Sequence, residues 1–125
     1  LRANTMMVIA SKDQQRVAAA LYFRSRDTLF GRYWGCLQEF DYLHFEACYY
    51  RGIEFCIEQG LTRFDPGAQG EHKIQRGFEP VLTHSHHWIA EQGFDSAIGA
   101  FCERERQQVA LYRDEACSLL PFKQG

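Results

Sequence analysis

Glu46 is followed at three and four residues by Tyr49 and Tyr50, a spacing that on a helix sets a carboxylate beside two phenols. Such a carboxylate can accept a proton from a bound nucleophile, and phenols can orient the partner of the reaction. Glu46 is therefore a candidate catalytic group, with Tyr49 and Tyr50 as substrate contacts. The alternative is a surface charge near a helix N-terminus, where the helix dipole favours acids. A second concentration of chemistry is Gly67-Ala68-Gln69-Gly70-Glu71-His72-Lys73. Its amide, acid, imidazole and ammonium groups lie between glycines that let backbone approach a ligand closely. His72 is the candidate proton acceptor near neutral pH, and Lys73 can hold a carboxylate or phosphate. Gln69, Gly70, Glu71, Lys73 and Arg76 complete the expected substrate contacts. The competing reading of this block is a solvated turn whose glycines only satisfy backbone geometry.

Other reactive residue types form weaker patterns. His84, His86 and His87 resemble a zinc cluster, but on a strand His87 points away from the other two, and no Cys or carboxylate stands at ligand spacing. No metal is expected. Cys36 and Cys48 read as small buried hydrophobes rather than nucleophiles, because neither shows a clear local base. Phe30, Tyr33 and Trp34 read as core, and Arg104 with Arg106 as solvent-facing charge.

These residues need elements to position them. Met6–Ala10, Arg16–Phe23 and Thr28–Cys36 carry the β-branched and aromatic content of strands, separated by polar turns, and predict an antiparallel meander. From Leu43 to Gln59 apolar positions recur every three or four residues, and Gly60 stands where a helix would end. A short strand, Leu61–Asp65, follows, so the strand-helix-strand crossover predicts a parallel pairing and a mixed sheet. Glu71–Arg76 predicts a single helical turn, and Val81–Ile89 a closing strand. Asp95 is the expected cap of a long final helix with Ile98, Phe101, Cys102, Val109 and Tyr112 on one stripe. The expected fold is α/β (α+β), with residues 1–92 forming one domain and 93–125 a helix packed on it.

Composition narrows the function classes. A chain of 125 residues has room for one core. Its hydrophobic share of 46% and net charge of −2 leave no broad basic face for non-specific nucleic-acid binding, and no apolar run spans a bilayer. Five cysteines without a CxxC pair fit a reducing cytosol. The start at Leu1 lacks a signal-peptide pattern and reads as a fragment or a trimmed chain. An exposed sheet edge at Met6–Ala10 would invite aggregation, so pairing with a second copy or a missing N-terminal segment is expected there.

The runs Phe45–Glu54, Phe64–Lys73 and Arg76-Gly77-Phe78-Glu79-Pro80 together resemble a family of bacterial predicted N-acyltransferases. It is related to the Fem-type enzymes that add amino acids to peptidoglycan precursors, and is often named only as peptidoglycan biosynthesis or recognition. The resemblance covers Leu21 to the C-terminus and implies a GNAT-like unit lacking its first strand and paired helices. Gly77-Phe78 sits where GNAT proteins carry a Gly-Phe pair after a short helix. The resemblance implies transfer of an acyl or aminoacyl group onto a small-molecule or peptide amine, with acyl-CoA or an aminoacyl-tRNA as donor. The connection Leu37-Gln38-Glu39-Phe40-Asp41-Tyr42 departs from the GNAT phosphate loop, having no glycine and two acids that would repel a pyrophosphate. That departure favours the tRNA-linked donor. Two other readings stay open: a non-catalytic module that recognises a peptidoglycan precursor, and a structural half of a two-unit protein.

Overall fold

Three runs of β-branched, aromatic and small residues fold back on one another as an antiparallel meander, in which each strand supplies the hydrogen-bond partners the next one needs. A computed structural model describes residues 2–68 and 70–122. Within it β1 (Thr5–Lys12) pairs with β2 (Gln15–Arg24), and β2 with β3 (Thr28–Cys36). A short β4 (Arg63–Asp65) joins β3 in parallel, giving a mixed sheet of order β1-β2-β3-β4. The meander, the parallel return and the mixed sheet agree with the sequence expectation.

The β1–β2 turn contains only Asp13 and Gln14, and both have positive φ, 49° and 64°. Positive φ at both central positions is the signature of a type I′ hairpin, whose twist matches that of the flanking strands. Asp tolerates this region through its short polar side chain, whereas Gln carries the ordinary Cβ penalty. At the β2–β3 turn, Thr28 Oγ1 donates to Asp27 Oδ1 at 2.8 Å and the Asp27 carbonyl accepts from the Thr62 and Arg63 N–H groups at 2.9 and 3.1 Å. One turn residue thereby anchors the start of β4.

The chain forms two compact units, Leu1–Gln69 and Gly70–Gly125. In the first, Ala18, Ala20 and Tyr22 alternate toward a helical layer and are buried. That layer consists of α1 (Leu43–Phe45), a π-helical turn (Glu46–Tyr50) and α2 (Arg51–Gln59), closed by Gly60 in the left-handed conformation. The buried cluster is Ala20, Tyr22, Leu29, Ala47 and Cys56, with Met6, Val8, Trp34, Phe55 and Phe64 packed around it. Small residues at 20 and 47 let helix and sheet approach, and the Tyr22 hydroxyl donates to the Ala47 carbonyl. Gly52 is required by close approach, because a Cβ there would lie 2.6 Å from the Phe64 ring. On the opposite sheet face Met7, Ile9, Phe30 and Tyr33 are exposed. The expectation that Phe30 and Tyr33 belong to the core is therefore corrected; only Trp34 packs against it.

The second unit contains a 3-10 turn (Glu71–Arg76) and α3 (Gln92–Ser118). Ile74 and Ala116 are its buried apolar residues among those described. Gly77 has φ 88°, and a side chain there would strike the Phe122 ring. Two expectations are corrected here. Val81–Ile89 forms no strand: its apolar residues stand in pairs at the two ends around a polar middle, no strand among the described residues supplies partners, and Val81 and Trp88 are 75% and 87% exposed. The α3 cap is Glu91, not Asp95, with its carboxylate accepting from the N–H groups of Gly93 and Phe94 at 3.0 and 2.6 Å. Asp95 lies one turn inside, where it favours the positive end of the dipole. On α3 the expected core stripe is largely solvent-facing, with Ile98, Phe101, Val109 and Tyr112 exposed. Among the described residues no helix is long and apolar enough to cross a membrane.

Two stability effects follow. Gln14→Gly removes the left-handed Cβ penalty and raises stability by about 1 kcal/mol, read as a melting midpoint higher by about 4–8 °C. Tyr22→Phe removes the buried hydrogen bond to the Ala47 carbonyl and costs about 1 kcal/mol, so a urea titration shows its midpoint falling with the slope unchanged.

Candidate functional site

The first group of candidates is built by the π turn. Tyr42 precedes α1 with φ 66° and no side-chain cap, and the Glu46 N–H reaches back to the Tyr42 carbonyl at 3.1 Å. From Glu46 the backbone bonds five residues ahead, with the Arg51 N–H donating to the Glu46 carbonyl. The wider π turn brings residue i+5 round toward residue i, and Arg51 Nε sits 3.0 Å from Glu46 Oε1. Arg51 also reaches Glu54 at 2.8 Å. An uninterrupted α-helix would have aligned Glu46 with Tyr49 and Tyr50 instead. Tyr49 turns inward, 3% exposed, while Tyr50 faces solvent. Tyr49 stacks on Phe45 at 6.2 Å between ring centroids, and His44 lies edge-on to Trp34, Phe45 and Tyr49 at 5.4–5.5 Å.

Beside Glu46 opens a cleft of about 360 Å3 lined by Ala10, Ser11, Lys12, Val17, Phe40, Asp41, Leu43 and Glu46. Its shape begins with a register shift. Ala10 pairs with Ala18 but Ser11 with Arg16, so Val17 has no partner across β1. A bulge of this kind bends the strand and re-aims a side chain. Val17 instead accepts from the Leu37 N–H at 2.7 Å, which ties the connection after β3 to the cleft wall. The Lys12 ammonium lies over the Phe40 ring, 4.9 Å from its centroid, a cation–π contact that holds the charge at the rim. The floor is apolar and the rim carries one ammonium and two carboxylates. Lys12, Asp41 and His44 were not singled out as candidates by sequence. The two acids of the 37–42 connection were legible there, whereas a lysine at a hairpin tip carried no signal until the bulge and the loop met.

The second group lies in the other unit. Gly67, with φ 87°, donates its N–H to Asp65 Oδ1 at 2.8 Å and belongs to the first unit. Gln69 falls outside the described residues. Gly70 has φ 105°, and a Cβ there would sit 2.5 Å from the His72 ring, so the imidazole packs directly on the glycine backbone. Desolvation in that contact, with the Arg76 and Lys73 cations nearby, holds His72 below the usual imidazole value. The ring is therefore mainly neutral at pH 7 and its free nitrogen can accept a proton. Arg76 Nη1 donates to the His72 carbonyl at 2.8 Å, which closes the 3-10 turn on itself. Glu71 accepts from the Tyr112 hydroxyl at 3.3 Å, and its charge pushes the phenol up. Gly70, Glu71, His72, Lys73 and Arg76 thus share one turn, while Glu46 lines the cleft of the first unit and Tyr50 faces solvent.

Cys36 is exposed, which corrects its reading as a buried hydrophobe; Cys48 is half-buried, and Cys56 is buried with its thiol pushed up by desolvation. His84, His86 and His87 lie on the unpaired segment and are exposed, with His87 Nε2 3.0 Å from Ser85 Oγ. Among the described residues no three His, Cys, Asp or Glu side chains come together as a metal site.

Comparison with known protein families matches residues 1–124 to the FemAB-like family, described as peptidoglycan biosynthesis/recognition. No curated protein and no solved structure matches the chain. Because the family match runs over almost every residue, the chain belongs to the FemAB-like family of peptidoglycan biosynthesis and recognition proteins.

Proposed function

We propose that the chain carries part of a GNAT-like N-acyltransferase, centred on residues 1–92, that moves an acyl or aminoacyl group onto an amine. The observation that carries this reading is the family match over residues 1–124. The order of meander, helix, parallel strand, 3-10 turn and Gly77-Phe78 supports it. In the reaction an amine nitrogen attacks the acyl carbon, the N–C bond forms, and the C–O or C–S bond to the donor breaks. The amine proton passes to a base and then to the leaving group. Two bases are available, each in its own unit. Glu46 borders an apolar-floored cleft, and His72 is held neutral at the pH where an amine must be deprotonated. Tyr50, Gly70, Glu71, Lys73 and Arg76 are the substrate contacts of this reading; Tyr49, being buried, supports the helix behind Glu46.

The donor follows from charge. The connection after β3 presents Glu39 and Asp41 to solvent and no glycine, so it offers acids where a pyrophosphate would need free N–H groups. An aminoacyl-tRNA donor, delivering its ester carbon without that loop, fits better than acyl-CoA. A second reading, a recognition module without turnover, is favoured by one contact: Arg51 engages Glu46 Oε1 at 3.0 Å, so the carboxylate is partly committed to an ion pair.

Glu46→Gln lowers amide product, measured by mass spectrometry, by about 100-fold or more if Glu46 is the base, while the melting midpoint falls by no more than a few degrees because the pair with Arg51 is exposed. Unchanged product in this variant and in His72→Gln removes both from the mechanism, while ligand binding with no product from the parent chain establishes the recognition module. If His72 is the base, kcat/KM falls as pH drops through its depressed value. The midpoint of that acid limb lies below 6.5 and disappears in His72→Gln. Millimolar acetyl-CoA is expected to leave the melting midpoint where it is; binding at about 100 times its Kd would add about 2.7 kcal/mol and show as a rise of several degrees.

A further inference from the structure

We infer that the cleft beside Glu46 recognises an α-amino carboxylate with an aliphatic body, rather than a bare amine. The assignment rests on the acyl-transfer reading for its place in a reaction, though not for binding itself. The cleft combines three features that single out this chemistry. Ala10, Val17, Phe40 and Leu43 give the cleft an apolar lining against which a short hydrocarbon chain loses part of its contact with water. Asp41 and Glu46, both lining the cleft, bring two carboxylates complementary to an ammonium. Lys12 supplies an ammonium from the strand side, kept in place over the Phe40 ring at 4.9 Å. A bare alkylamine would satisfy the acids but leave Lys12 facing a like charge, and a fatty acid would do the reverse. A molecule bearing both groups on one carbon chain meets all three. The volume of about 360 Å3 admits an amino-acid-sized group rather than an extended polymer. Arg51, which pairs with Glu46 Oε1 at 3.0 Å, reduces the acid excess at the cleft and brings the opposing charges closer to balance.

Lys12 and Asp41 are then specificity-determining residues, and matched probes separate their roles. Norleucine carries both charges, pentylamine lacks the carboxylate, and hexanoate lacks the amine. Titrated into the full chain at millimolar concentration and followed by amide chemical shifts of residues 10–17 and 37–46, norleucine is expected to bind more tightly than either analogue. Lys12→Met keeps the contact with Phe40 but removes the charge. It weakens norleucine about threefold to fivefold, the size of one exposed ion pair, and leaves pentylamine unchanged or tighter. Asp41→Asn weakens norleucine and pentylamine together. Both side chains are exposed, and matching amide spectra in the absence of ligand verify that the variants fold. Norleucine binding no tighter than its analogues, or Lys12→Met weakening pentylamine as much as norleucine, overturns the inference. The binding pattern without amide product keeps the inference and removes the transferase reading; amide product from simple amines without the pattern does the opposite.

Discussion

The hydrogen bond from the Tyr22 hydroxyl to the Ala47 carbonyl joins the sheet to the π turn, and the candidate cleft depends on that junction. A π turn leaves backbone groups out of the ordinary α-helical ladder, which is why such turns persist where something else satisfies them. Here a buried phenol does so. Burial together with the nearby Cys48, Tyr49 and Cys56 pushes the Tyr22 phenol far above its ordinary range, so it remains a donor at any physiological pH. The small side chains of Ala20 and Ala47 then allow the close approach that this bond requires.

From that junction the charge arrangement follows. The wider π turn brings Arg51 round toward Glu46, and Arg51 links on to Glu54. These pairs are exposed, so each contributes at most about 1 kcal/mol. Their importance is orientation: they hold Glu46, Arg51 and Glu54 in one chain of charges along the helix. The opposing charge comes from the far end of β1, where the type I′ turn places Lys12 and the Val17 bulge opens space for the 37–42 connection. Two local irregularities, one in a strand and one in a helix, thus shape a single recess.

The second unit solves a different problem, how to keep an imidazole neutral on a small turn. Gly70 permits the His72 ring to lie on the backbone, and the neighbouring cations of Arg76 and Lys73 oppose its protonation. Because His72 is depressed relative to the unfolded chain, its stabilising contribution is full above about 6.5 and declines as pH falls through the folded value. Glu71, occupied by Tyr112, fixes one side of the same turn to α3.

Periodicity and composition alone determined the meander, the helix from Leu43 to Gln59, its Gly60 end, the parallel fourth strand and the turn at Glu71–Arg76, because alternation, helical spacing and glycine stops act over a few neighbouring residues. The same local signals made Glu46 and the Gly70–Lys73 block visible as candidates, and the long motif made the family legible. Only the tertiary structure decided that Val81–Ile89 joins no strand among the described residues, that Glu91 rather than Asp95 caps α3, and that Tyr49 is buried while Arg51 meets Glu46. It also decided that Lys12 and Asp41, 29 positions apart in the chain, face one recess. Those outcomes depend on what another segment supplies: a strand requires a neighbour, a π turn a side chain that can hold its carbonyl, and a cleft two walls distant in sequence, none of which leaves a local pattern.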